Sequence, residues 1–272
     1  VLRWPKSSPK KRNWATFART KEKLKLTFFR KVFFAIAVCG AVLCCAADDV
    51  PLYLDVGDLP NALNFYPAPP DTGSAAYAYD VAQYKWGKAM RADSARAALA
   101  IAQATVDVAE MMKMFSGVFG MEISEKGTPA IFNVVKRGVL TARLAGRIPK
   151  KHYMRTRPYV IFNEPTLLPE YEEEHKTNGA YPSGHTLRGW AMALLLAEIN
   201  PEAQDAILKY GYEWGQSRVI AGYHWQSDVE ASKSIVATAL ARMHADDAFL
   251  ADMKKARAEF KKLSAKQKKK AK

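Results

Sequence analysis

The chain of 272 residues is 49% hydrophobic with a formal charge of +14, apolar enough to bury one substantial core. Such a charge suggests nucleic acid or another polyanion as partner, but residues 1–47 hold 11 Lys/Arg against Glu22 and residues 252–272 hold 10 against Asp252 and Glu259. The body between them is mildly acidic, so nucleic-acid binding loses its support.

At the amino end, "KEKLKLTFFRK" (residues 21–31) is a positive stretch, and "VFFAIAVCGAVLCC" (residues 32–45) is an uncharged apolar run of 14. That length suits the apolar region of a signal peptide and falls short of the about 20 residues a spanning helix needs. Cys45-Ala46-Ala47 supplies a small-x-small cleavage site, so residues 1–47 read as a cleaved leader with Asp48 as the mature start. A retained anchor is the alternative. Cys39, Cys44 and Cys45 all lie in this leader. Its removal leaves no thiol for a disulfide, a thiolate metal site or a cysteine nucleophile.

Residues 48–73 are rich in proline and turn formers and predict an extended surface arm. From Ser74 onward the apolar residues recur at three- and four-residue steps. Helices are predicted over 74–92 and over 94–115, the second capped by Asp93. A third opens at Thr128-Pro129 and runs through 146; others cover 186–200, 201–222, 228–246 and 248–263. No stretch alternates with a period of two. The prediction is a single all-α domain over 74–263, followed by a basic, disordered tail at 264–272. The longest connection, residues 159–181, stands directly before "YPSGHT" (residues 181–186) and is placed to rim a pocket.

Three clusters carry the chemistry. "KKHYMRTRP" contains Lys150, Arg157 and Pro158; "PSGH" contains Ser183, Gly184 and His185; "SRVIAGYHWQSD" contains Ser217, Arg218, His224 and Asp228. Lys150, Arg157 and Arg218 suit a tetrahedral oxyanion, because arginine forks two oxygens and lysine adds a point charge. Ser183 and Gly184 stand where a helix begins, which presents free N–H groups and the positive end of a dipole to the same anion. His224 and Asp228 are one helical turn apart if that segment is helical. The carboxylate can then hold one imidazole nitrogen and leave the other as a nucleophile. Singly, each reads more readily as a cap, a solvated charge or an i,i+4 pair. His152, His175 and His244 are read as structural or surface residues.

Together the clusters follow the pattern K-x6-R-P, P-S-G-H and S-R-x5-H-x3-D at every fixed position. The chain thereby resembles the type 2 phosphatidic acid phosphatase (PAP2) superfamily, and within it the bacterial class A non-specific acid phosphatases. The closer likeness rests on "HYMRTRP", "YPSGHT", "AEINP" and "SRVIAGYHWQSD". The resemblance implies an all-α, single-domain helical bundle of the PAP2/haloperoxidase type and a periplasmic, homo-oligomeric acid phosphatase. Its substrates would be small-molecule phosphate monoesters of broad specificity, with phosphotransfer as a side activity. It implies that His224 attacks phosphorus and forms a phosphohistidine, that Asp228 orients its ring, and that His185 protonates the leaving oxygen and then activates water. Lys150, Arg157, Ser183, Gly184 and Arg218 would hold the phosphate oxygens, with no metal and no cofactor. No stable membrane insertion is expected after signal cleavage. Vanadate-dependent haloperoxidases share this cradle and offer one alternative function; a non-catalytic periplasmic phosphate-binding protein is another.

Overall fold

The computed structural model describes residues 50–270, which fall almost entirely in the compact unit Pro51–Lys272. The expected leader and its three cysteines lie outside the described residues. The helices are α1 (Ala75–Ala89), α2 (Ser94–Ala102), α3 (Val108–Phe119), α4 (Pro129–Ala142), α5 (Arg147–Tyr153) and α6 (Pro158–Phe162). They continue with α7 (Glu172–Lys176), α8 (Gly184–Ile199), α9 (Gln204–Ile220), α10 (Gln226–Met243) and α11 (Asp247–Lys270). No strand occurs among the described residues. Ser74 caps α1 by accepting the Tyr77 N–H, and Asp93 caps α2 by accepting those of Ala95 and Arg96, which satisfies donors left over at each first turn.

Helix α8 is the centre. It packs against α3, α4, α9, α10 and α11, and its Leu187, Ala191, Met192, Leu195, Leu196 and Ile199 are buried, as befits a helix apolar on most sides. The crossing with α9 is close. A Cβ on Gly189 would stand 2.6 Å from Trp214 Cδ1, and one on Gly211 2.3 Å from Ala193 Cβ. Helices α8 and α9 are joined by only a few residues around Pro201, so they run antiparallel. The start of α8, with Gly184 and His185, therefore meets the end of α9, with Arg218.

Four expectations need correction. The helix expected over 94–115 is two helices, because Asp107 turns its carboxylate onto the N–H groups of Ala109 and Glu110 and starts α3 afresh. Ser217 Oγ also pins Gln103 Oε1 at 2.5 Å, which holds the break at 103–107. The helix expected to run from Pro129 through 146 instead gives way at Arg143 to a 3₁₀ turn, Arg143–Gly146, before α5. A Cβ on Gly146 would stand 2.3 Å from Leu187 Cδ1, so this turn lies hard against α8.

The arm, described from residue 50, is anchored rather than wholly superficial: Tyr53, Leu54, Leu59 and Ala62 are buried in the main core. Tyr53 is held by its N–H to Thr141 Oγ1, by its hydroxyl to Asp252 Oδ2, and by the Arg137 guanidinium 3.9 Å from its ring centroid. The carboxyl tail, expected to be disordered, continues α11 to Lys270. Its Ala, Lys and Gln are strong helix formers with no glycine or proline to stop them.

Candidate active site

The break between α2 and α3, the start of α8, the end of α9, helices α5 and α7, and Arg157 before α6 enclose a cavity of about 660 Å³. Its wall carries the cations Arg143, Arg147, Lys150, Arg157, Arg188 and Arg218 against only Asp107 and Glu174. That imbalance suits an anionic ligand. Of the residues singled out from sequence, Lys150, Arg157, Gly184, His185, Arg218 and His224 all line it.

Arg157 is anchored before any ligand arrives. Its Nε donates to the carbonyls of His175 and Asn178, and Nη1 to that of Tyr223 at 3.1 Å. The same Nη1 lies 3.2 Å from His224 Nε2. Lys150 Nζ donates to Gly179 O at 2.6 Å. Arg218 differs: it is 2% exposed, and its Nε and Nη1 have no hydrogen-bond partner among the described residues. Buried donors of this kind are costly unless something accepts from them, and an oxyanion in the cavity would do so.

A guanidinium has only protons to offer, so His224 Nε2 must accept from Arg157, and the ring proton belongs on Nδ1. Nδ1 lies 3.4 Å from Asp228 Oδ2. The pairing does not arise inside a helix as the spacing suggested. α10 begins at Gln226, and Asp228 in its first turn reaches back to accept the Trp225 N–H at 2.8 Å. The carboxylate is a cap and a histidine partner at once.

Ser183 also departs from expectation. Its N–H is taken by the Asp228 carbonyl at 3.2 Å, and its hydroxyl oxygen accepts from Thr186 Oγ1 at 2.9 Å. Ser183 is fully buried and caps α8, so the free N–H groups at this corner are those of Gly184 and His185, the first two of the helix. A Cβ on Gly184 would meet only Arg188 Nη1, at 3.6 Å. Its missing side chain leaves open cavity space beside those N–H groups.

The cations act on each other and on both imidazoles. Burial, then the Arg157 charge, brings Lys150 down to about 7. Burial and Arg157 bring Arg218 down to about 10. His224 is held well below 6.5 by burial and by Arg157, Lys150 and Arg218. Burial does the same to His185, with Arg218 and Arg188 adding to it. Burial raises Asp228, against the Arg155 charge. An anion among these cations would push both histidines and Lys150 back toward their charged forms. His185 Nε2 lies 2.8 Å from Ala104 O, so Nε2 carries a proton and Nδ1 is the uncommitted nitrogen.

Three further members of this neighbourhood are not marked by the sequence motifs. Arg188 lines the cavity three residues after His185, on the same helical face, which was the available signal. His175, read as structural, stands in the wall with Nδ1 directed at Tyr171 O. Arg155, inside the quoted "KKHYMRTRP", bonds Asp228 Oδ1 at 2.6 Å, a contact no local spacing announces.

Residues 133–247 match the family model described as the PAP2 superfamily. The chain is similar to the non-specific acid phosphatase of Providencia stuartii, with 39% identity over 248 residues, covering 89% of this chain and 99% of the relative. It is similar to the non-specific acid phosphatase of Salmonella typhimurium, with 42% identity over 202 residues, 74% of this chain and 80% of that one. The acid phosphatase of Zymomonas mobilis shows 34% identity over 202 residues, 74% and 76% of the two chains.

Proposed function

The chain belongs to the PAP2 superfamily and is a phosphoric monoester hydrolase, an acid phosphatase, and we propose that it works through a phosphohistidine on His224. The observation that carries this reading is the state of that ring: Nδ1 faces a buried carboxylate, and Nε2 keeps its lone pair inside a cationic cavity.

In the proposed first step, the His224 Nε2 lone pair forms the N–P bond as the ester P–O bond breaks. The leaving alkoxide takes a proton from the His185 imidazolium, through Nδ1. Arg218 Nε and Nη1, Arg157, Lys150 and the N–H groups of Gly184 and His185 receive the charge on the equatorial oxygens. Ser183 contributes by capping that helix start. In the second step neutral His185 takes a proton from water, the water oxygen attacks phosphorus, and the P–N bond breaks to return Nε2. Asp228 opposes the positive charge that the ring carries while phosphorylated. Transfer to an alcohol in place of water is the matching side reaction.

The free enzyme holds His185 neutral, so the substrate's own negative charge among Arg218 and Arg188 restores the proton this acid needs. The cradle consists of N–H donors and cations, which favour an anion and repel a divalent metal. Release of phosphate from p-nitrophenyl phosphate, with and without chelator, tests the reading. Turnover that survives chelation and is blocked by vanadate is expected; turnover silenced by chelator and restored by a divalent metal contradicts it. We further propose periplasmic export with cleavage before Asp48. Amino-terminal sequencing of exported protein checks this, and an intact 32–45 run in that material would refute it.

A further inference from the structure

Behind the cavity, Asp228 belongs to a charged assembly whose other members take no part in the proposed reaction. Arg155 stands in the turn between α5 and α6 with its side chain 9% exposed, and it bridges two fully buried carboxylates. Its Nη1 donates to Asp228 Oδ1 at 2.6 Å and to Ser227 Oγ at 2.7 Å; its Nη2 donates to Asp80 Oδ2 at 2.8 Å. Asp80, on α1, accepts in addition the Ser227 N–H at 2.8 Å and its hydroxyl at 2.5 Å. The guanidinium carbon sits 5.3 Å from the Trp225 ring centroid. Trp225 itself is tied by its backbone N–H to Asp228 Oδ2 and by its indole N–H to Thr156 O. Neither Arg155 nor Asp80 lines the cavity.

The division of Asp228 between its two oxygens is the informative detail. Oδ1 is held by Arg155, whereas Oδ2 is shared by the Trp225 N–H and His224 Nδ1. A carboxylate held at Oδ1 by a charged donor and at Oδ2 by a backbone N–H has little freedom to turn Oδ2 away from the imidazole. Burying that carboxylate with a single neutral donor would cost far more than burying it against a guanidinium.

We propose that Arg155, pinned by Asp80, is a positioning residue for dephosphorylation chemistry: it keeps Asp228 ionised and aimed at His224 Nδ1, and so couples helix α1 to the nucleophile. This rests on the reading of His224 as nucleophile and Asp228 as its partner. The direction of titration agrees with it, since burial raises the Asp228 carboxyl and the Arg155 charge opposes that rise. The other charged or titratable groups that face Asp228 are Lys150, Arg157, His224 and, more remotely, Tyr181. None of them reaches Oδ1.

Arg155→Met, Arg155→Lys, Asp228→Asn and the Arg155→Met/Asp228→Asn double variant, each checked for helicity and thermal transition, are compared on p-nitrophenyl phosphate. For Arg155→Met, kcat should fall roughly 10- to 100-fold, the scale on which outer partners of a reacting group act. KM and vanadate inhibition should change by less than about threefold, because the phosphate contacts are intact. The acid limb of its kcat profile should move to higher pH, since the carboxyl now ionises later. Arg155→Lys, which keeps the charge without the fork, should recover the limb and part of the rate. In the Asp228→Asn background, Arg155→Met should cost little more.

A loss that is shared equally by KM, leaves the acid limb unmoved, or adds in full to Asp228→Asn overturns the proposal. If Arg155→Met does not fold, Arg155→Gln carries the same expectations. Acid-quench labelling of the wild type separates the two levels: no phosphoenzyme defeats the nucleophile assignment, whereas a labelled wild type with an unshifted Arg155→Met profile defeats this proposal alone.

Discussion

Arg157 Nη1 stands 3.2 Å from His224 Nε2, and this contact decides which ring nitrogen holds the lone pair. The same guanidinium ties the carbonyls of His175, Asn178 and Tyr223, so one side chain joins the 175–179 loop to the proposed nucleophile. Lysine at this position keeps the charge but cannot fork. Arg157→Lys should lower kcat by about 10²–10³-fold, the scale of a lost transition-state donor. It should also lower the thermal transition by several degrees, since orphaning the buried Tyr223 carbonyl costs ~1–3 kcal/mol. Steady-state kinetics and melting on one preparation check both.

The pH profile should have a steep alkaline side. His185 must be protonated as acid yet is held well below 6.5 in the free enzyme, and Lys150 loses its proton near 7. Two groups that must be charged are therefore both discharged as pH rises. After correction for the second ionisation of the ester, about 6 for such phosphates, log kcat/KM should approach a slope of −2 above neutrality. Lys150→Arg, whose charge persists, should return the slope toward −1. A slope of −1 in the wild type would mean that Lys150 is not needed charged.

Folding stability without ligand should fall on acidification. The depressed pKa values of His185 and His224 mean that the unfolded chain takes up protons near 6.5 before the folded one does. Stability therefore declines as pH drops through about 6.5, and the loss stops growing only below the folded values. Inorganic phosphate among the buried cations should oppose this and raise the melting temperature. At a hundred times its Kd it contributes about 2.7 kcal/mol, several degrees for a domain of this size. Calorimetry with and without phosphate at several pH values measures both effects.

Gly184→Ala should separate binding from folding. The added methyl meets no wall, only Arg188 Nη1 at 3.6 Å, and alanine stabilises a helical position by ~0.4–1 kcal/mol relative to glycine. It nevertheless stands where the anion approaches the helix N–H groups. The expected outcome is an unchanged or slightly higher melting temperature with raised KM and weaker vanadate inhibition. Unaltered inhibition would place the anion elsewhere in the cavity.

Much of the cavity was legible because its residues sit in short, rigid words. Lys150, Arg157, Gly184, His185, Arg218 and His224 stand in three short motifs in or beside helices, and the resemblance to the family pattern groups them. What was not legible depends on distant partners. The arm around Tyr53 is drawn into the core by Asp252, 199 residues away. The break before α3 is held by Gln103 against Ser217, 114 residues on. Arg155 meets Asp80 and Asp228 across 75 and 73 residues. The Asp228–His224 spacing suggested a helical turn, whereas a capping turn made the contact. Local sequence presents Ser183 as a free donor, since its pairing with the Asp228 carbonyl is tertiary.

The most direct test of the account is acid-quench trapping of enzyme turning over labelled p-nitrophenyl phosphate, for the wild type, His224→Ala and His185→Ala. The wild type should carry acid-labile label and His224→Ala none. His185→Ala should accumulate label, because nitrophenolate departs with little protonation while release needs an activated water. With alkyl esters the same variant should lose a further ~10²–10⁴-fold, the usual contribution of general acid catalysis. Label retained by His224→Ala, or an equal loss by His185→Ala on every ester, would contradict the assignment of the two histidines.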